Sequence, residues 1–363
     1  MKIKIINCLL LGMLFSVSAS NTFEIISFDF DPIGSTVRWN GTSGKTYAVM
    51  TIDNLMSNFW QTAVNGTNVN CRSIVTAVED GELEYIEQDS VVGINKFYKL
   101  VAHDIPDGMV LIPGGMNSGT NLLENGEIYS NMYPSNYFLT VDFFYMDSTE
   151  VTKAQWDIVY DWAITNGYSF DNIGSGKANN HPVHTVNWYD CAKWCNARSE
   201  KDGRIPCYTV DGSVYKTGRS SPDCNFIANG YRLPTNDEWE YAARGGLSSK
   251  RFPWGDTITH NQANYYSSTS YDYDISATRG YNPAYTNAPM PYTSLVGSFA
   301  PNGYGLYDMA GNVWECCNTV SGENRNFRSG GWENNSTCPR CGYEISCSPL
   351  FSGNNFGFRS VCR

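Results

Sequence analysis

Three groups of residues in this chain have the types and spacing that chemistry needs. Cys338-Pro-Arg-Cys341 is a Cys-x-x-Cys step, a spacing that can lower a thiol pKa and that offers soft sulfur donors. Three readings compete for it: a structural disulfide, with Cys347, Cys316 or Cys317 as alternative partners; a metal-binding or redox pair; and free or intermolecular thiols. From Asp308 to Glu315, two carboxylates, small residues and exposed main-chain carbonyls fall within one tight turn. Hard oxygen donors at that density suit calcium; the plainer alternative is that they satisfy the turn's own amides. His181 and His184 stand in a proline-containing loop and lack a third obvious ligand, so zinc is not expected and they should pack or hydrogen-bond.

The elements that must hold these groups are few and well punctuated. Thr152-Lys-Ala-Gln155 is a capping box that opens a helix with Trp156, Val159 and Ala163 on its apolar face and Asn166-Gly167 as its stop. Asn187 caps a second helix that ends near Gly203 and carries Trp188, Cys191 and Cys195 along one side. Thr235-Asn-Asp-Glu238 opens a third, followed by Trp239, Ala242 and Ala243 and stopped by Gly245-Gly246. About 100 residues rich in Tyr, Asn, Gly and Ser lie between and after these helices, and their many aromatics argue for ordered loops rather than disorder.

Upstream, residues 21–104 read as short strands. Ser35-Thr-Val-Arg-Trp39, Lys45-Thr-Tyr-Ala-Val-Met-Thr51, Ser73-Ile-Val-Thr-Ala-Val78 and Lys96-Phe-Tyr-Lys-Leu-Val101 are β-branched or aromatic, and Asn40-Gly41, Asn65-Gly66 and Asp80-Gly81 separate them. A small fibronectin-like β-sandwich is the expected assembly, a spacer or adhesion module with nothing catalytic in it. Residues 1–20 read as a secretory signal: Lys2 and Lys4, the apolar run Cys8 to Val17, then small residues at Ser18 and Ala19. The run is short for a membrane span, so the expectation is an exported protein, periplasmic or extracellular, with no transmembrane anchor after cleavage.

At 363 residues the chain suits two domains, and 42% apolar residues suffice for a real core. Its net charge of −11 becomes −13 without Lys2 and Lys4. No basic stripe is visible, so nucleic acid is not an expected partner. Twelve cysteines become eleven without Cys8. Export would oxidise most of them, and the odd number leaves one unpaired within the chain. Cys207 and Cys224 bracket an apparent insertion; a bridge there would close a loop of about 16 residues, worth around 3 kcal/mol in chain entropy.

The order of motifs in residues 109–363 is specific. Met109-Val-Leu-Ile-Pro-Gly-Gly115 is followed by Met146-Asp-Ser-Thr-Glu-Val-Thr152, His181-Pro-Val-His-Thr-Val-Asn-Trp188, Tyr231-Arg-Leu-Pro-Thr-Asn-Asp-Glu-Trp-Glu240 and Phe252-Pro-Trp-Gly255. Then come Asn302-Gly-Tyr-Gly-Leu-Tyr-Asp-Met-Ala-Gly-Asn-Val-Trp-Glu315, Arg328-Ser-Gly-Gly-Trp332 and Phe356-Gly-Phe-Arg359. This succession resembles the formylglycine-generating-enzyme (sulfatase-modifying-factor) family. The resemblance implies an α+β, loop-rich, C-type-lectin-like fold. It also implies a structural calcium held by the side chains of Asp308 and Glu315 and the carbonyls of Gly311 and Val313. A second calcium site would start at Ala263-Asn264-Tyr265 and finish near Asp274, although the spacing departs from the family's. A bridge from Cys195 to the last strand, at Cys362, follows by the same resemblance.

The family's chemistry oxidises a sulfatase cysteine to formylglycine on Cu(I) held by two cysteines. Aligned on Trp332, the first copper cysteine falls at Asn334 and the family serine at Gly331. Asparagine cannot replace a thiolate on Cu(I). What remains for copper and catalysis is the displaced pair Cys338 and Cys341. Two functions therefore stay open: oxidation of a sulfatase polypeptide, or non-catalytic, lectin-like binding of an envelope protein or glycan.

Overall fold

A computed structural model describes residues 105–123 and 133–363 in full and, before residue 105, only the backbones of short strands. The chain divides into two compact units, the first essentially Met1–Asp107 and the second Gly108–Arg363, with a short exchange at Pro113–Gly115. In the first unit, Ile25–Asp31, Gly34–Gly41 and Gly81–Glu87 form one antiparallel sheet, while Thr46–Ile52 pairs with Gln61–Thr62, Ile74–Thr76 and Phe97–His103 in another. The expected fibronectin-like β-sandwich rests on the sequence. Within the expected leader only Lys4–Cys8 and Met13–Val17 are described, and Ser18, Ala19 and Cys71 lie outside the described residues.

The second unit is a mixed α+β domain. Strands β1 (Met109–Ile112), β2 (Gly115–Thr120), β3 (Asn136–Val141) and β4 (Phe144–Asp147) precede helices α1 (Lys153–Thr165) and α2 (Trp188–Lys201). Next come β5 (Tyr208–Val210), β6 (Ser213–Val214), β7 (Asp223–Cys224) and α3 (Asn236–Arg244). A long loop region then leads to β8 (Trp314–Ser321), β9 (Asn324–Arg328), β10 (Ile345–Cys347), β11 (Phe356–Gly357) and β12 (Val361–Cys362). β4 is the centre of a three-stranded sheet between β1 and β12, with Met109 opposite Asp147 and Tyr145 opposite Cys362. The four-stranded sheet runs β10-β9-β8-β11, and its β8/β11 pair is parallel.

All three helices start on reciprocal capping boxes, Thr152 with Gln155, Asn187 with Asp190 and Thr235 with Glu238, each cap being worth about 1 kcal/mol. The helix α3 ends where Gly245 turns left-handed at φ 55°, which a side chain there would resist. Trp156 of α1 stacks on Trp194 of α2 at 6.1 Å, and Phe358 meets Trp194 edge-on at 5.2 Å. This aromatic wedge brings the segment just before β12 against the helix pair. Behind α3, Ile112, Leu139, Phe144, Met146, Trp239 and Cys341 form the buried core.

Candidate functional site

Glu315, the second residue of β8, is fully buried. Its carboxylate receives Arg359 Nε at 2.7 Å and Nη2 at 2.8 Å, together with the Trp239 indole N–H at 2.6 Å. Arg359 in turn donates to the carbonyls of Asp147 and Tyr307, so it ties β4, the Asp308 loop and β8 into one knot. Glu150, just past β4, is equally buried; it accepts from the Asn312 amide at 2.8 Å and the Val313 backbone N–H at 3.3 Å. Asp308 sits in the left-handed region at φ 55°, and its Oδ2 accepts the Gly297 N–H. Its Oδ1 is buried with no hydrogen-bond partner.

Three buried carboxylates thus share one guanidinium. Burial pushes the Glu150 carboxyl well above its usual range, and the charges of Asp308 and Glu315 push the same way. Burial also raises Asp308 to about 6 against the pull of Gly297 and Arg359. This surplus of buried negative charge, with an orphaned carboxylate oxygen, fits a cation. Among the described residues no three His, Cys, Asp or Glu side chains converge as a metal cage, so the donors here would be carboxylates combined with main-chain oxygens, as calcium accepts. The turn is shaped for this: Gly311 has φ 88°, and a Cβ on it would lie 2.3 Å from the Asn264 carbonyl oxygen. Sequence reasoning gave no role to Glu150 or Arg359. Their signal was a charged residue embedded in each of two short motifs, Met146–Thr152 and Phe356–Arg359.

The second expected site is built differently. Asn264, Tyr265 and Asp274 are all buried, and Asn264 lies beside Gly311 in a short parallel bridge. Asp274, however, is already satisfied. Its Oδ1 accepts from the Tyr265 hydroxyl at 2.7 Å, Ser267 Oγ at 2.9 Å and Arg279 Nη1 at 3.1 Å, and its Oδ2 accepts the Ser268 N–H at 2.9 Å. The Tyr265 carbonyl faces His260 Nε2 at 3.2 Å, and the Asn264 amide donates to the Tyr292 carbonyl at 2.8 Å. Arg279 stands where a metal's charge would be needed, and these residues do not fit calcium.

Cys338 and Cys341 stand in different surroundings. Cys341 is fully buried in the apolar core beside Trp239 and Met146. Burial raises its thiol to about 12. Cys338 is partly buried, contacts Thr337 and is raised to about 11 by burial. A spacing of three residues places them in one irregular turn, but Cys341 is drawn inward with Gly342 packed on Asn121. At the positions matched to the family's copper ligand and serine, Asn334 Oδ1 accepts the Gly331 N–H at 2.9 Å. This donor set does not fit Cu(I).

No disulfide joins any of the ten described cysteines in this structure. The expected pair Cys195 and Cys362 is not joined: Cys362 Sγ lies 3.6 Å from Met109 Sδ, and Cys195 is buried on α2 near Asp147, Arg198 and Cys207. His181 and His184 hydrogen-bond through Nδ1 to Thr293 and Thr185, and burial lowers His184 to about 4, as befits packed neutral imidazoles.

Residues 99–363 match the family described as Sulfatase-modifying factor enzyme 1-like domain. The chain belongs to that family. Within it, the chaperone protein LppX of Paenibacillus barcinonensis is 31% identical over 268 residues, which span 70% of this chain and 87% of that protein. The formylglycine-generating enzyme of Mus musculus is 28% identical over 288 residues, 69% of this chain and 74% of the enzyme. Among solved structures, CarF superimposes with a TM-score of 0.52 at 27% identity, covering 71% of this chain and 98% of CarF. The sulfatase-modifying-factor fold therefore carries the buried Glu150–Asp308–Glu315–Arg359 knot, while the Gly330–Cys341 segment departs from the two-cysteine pattern.

Proposed function

We propose that this domain uses the sulfatase-modifying-factor scaffold, stabilised by one calcium at Asp308–Glu315, to bind a polypeptide rather than to oxidise it. The observation that carries this reading is the Asn334–Gly331 hydrogen bond at the copper-ligand position, with Cys341 withdrawn into the core. A Cu(I) centre needs two adjacent, accessible thiolates, and burial opposes ionisation of both remaining thiols. The partner class is a polypeptide, a sulfatase or an envelope protein, which is consistent with a similar protein named as a chaperone. Export to the periplasm or the extracellular space, read from the basic and apolar leader, places that partner outside the cytoplasm. When bound, calcium would supply positive charge among Glu150, Asp308 and Glu315; the orphaned Asp308 oxygen and the carbonyls of Gly311 and Val313 would hold it, while the Glu315 carboxylate is already committed to Arg359 and Trp239.

The rival, formylglycine formation, draws support from the similarity to the mouse formylglycine-generating enzyme. The two separate on turnover of a sulfatase-motif peptide after Cu(I) loading under oxygen, with Cys338→Ser and Cys341→Ser as controls. The expected result is no aldehyde above the controls, together with retention of an unmodified sulfatase or envelope polypeptide on the immobilised domain. Robust aldehyde formation that both substitutions abolish would show that a displaced pair is catalytic.

A further inference from the structure

The two adjacent cysteines of β8 point to opposite sides, as neighbours in a strand must. Cys317 faces the core behind α3, with Trp239 and Cys341. Cys316 therefore faces α2. The first turn of α2 is seated on β8 by the Trp188 indole, which donates to the Cys317 carbonyl at 2.9 Å. Cys191 lies three residues further on, on the same helix face as Trp188. After burial, the neighbouring Cys316 side chain is the next cause that pushes the Cys191 thiol upward. Both residues are almost completely inaccessible, at 0% and 1% exposure.

We infer that Cys191 and Cys316 form a disulfide that staples α2 to β8, an inner strand of the four-stranded sheet, next to Glu315. The inference goes beyond the binding function proposed above and holds whether or not the domain oxidises cysteine. Burial raises the Cys191 thiol, and a buried thiol is inert, so the bond forms as the chain folds, before α2 seats on β8. A small-molecule disulfide such as oxidised glutathione accepts the electrons. The Cys316 thiolate attacks its S–S bond and releases one thiol, leaving a mixed disulfide. The Cys191 thiolate then displaces the second thiol, and the two protons from the cysteines pass to the two departing thiolates. Cys347, on the neighbouring strand β10 and partly buried, is the competing partner for Cys316.

The test refolds the full chain in a glutathione redox buffer, alkylates free thiols and maps peptides without reduction. A Cys191–Cys316 linked peptide that disappears on reduction is expected. Alkylation of both residues, or a Cys316–Cys347 link, would overturn the inference. Cys191→Ser should abolish the link, leave Cys316 alkylatable and remove the reductant-sensitive part of the melting temperature. If that variant fails to fold, the wild-type map alone decides.

Discussion

Asp274 and Asp308 are both buried carboxylates in loops, and Asn264 with Gly311 bridges one loop to the other. Around Asp274, hydroxyls, backbone N–H groups and Arg279 supply every need of the charge. Around Asp308 one oxygen is orphaned, and Arg359, already committed to Glu315, is shared with Glu150. The difference teaches that a cation site is marked by unmet charge and not by the number of oxygen donors.

The largest effect is expected from Arg359→Met. Removing the guanidinium strands Glu315 beside two other buried carboxylates, and breaking a buried pair in this way costs about 3–5 kcal/mol. Urea unfolding in chelator should show a loss of this size or a failure to fold. A neutral outcome would mean the knot is not charge-limited. Next in size is calcium itself, which binds only the native state and should stabilise it by about 2.7 kcal/mol at a concentration 100 times its dissociation constant. Asp308→Asn is nearly isosteric and leaves the Arg359 pair intact, so it should remove the calcium-dependent rise in melting temperature. Indifference of the wild type to calcium and chelator would remove the contrast altogether.

Acid should sharpen the same point. Asp308 is raised to about 6, so the metal-free folded state holds more protons than the unfolded chain, and this group adds stability as pH falls through that value. Calcium requires the ionised form. At pH 5, about one unit below, calcium affinity should fall roughly tenfold, taking about 1.4 kcal/mol from the calcium increment. His184, lowered to about 4, and His181 and His260, also lowered, destabilise the fold as pH drops. They do so with and without calcium and cancel in the difference between the two melting curves. A calcium increment that is the same at pH 7 and pH 5 would contradict the assignment to Asp308.

Much of the domain was legible in sequence because its signals are local. Two capping boxes and an Asn187 cap announced three helices, and Asp308 to Glu315 announced the loop within eight residues. The rest was set by distance. Glu150 meets Val313 across 163 positions and Arg359 meets Glu315 across 44, so only the folded chain shows that they form one knot. Several strands are two or three residues long, too short to print an alternating pattern. Cys338-Pro-Arg-Cys341 left several readings open for the opposite reason. Its spacing is local, but core packing claims Cys341, and apolar burial outweighs the pairing that the motif suggests.

The smallest effect should come from Arg279→Met, and it probes the other half of the comparison. The guanidinium is 42% exposed while Asp274 is fully buried, so water screens the cation but cannot reach the anion. Asp274 keeps the Tyr265 and Ser267 hydroxyls and the Ser268 N–H after the substitution. The cost is therefore that of one charged hydrogen bond, discounted for screening, about 1 kcal/mol. Calcium should not restore it, because the Tyr265 carbonyl remains turned to His260 and the Asn264 amide to Tyr292. Measured against wild type, the variant should melt slightly lower and show an unchanged calcium increment. If calcium instead recovers the loss, and a second ion appears in equilibrium dialysis, Arg279 is a surrogate for a metal, and the two loops are the same kind of site in different states of charge.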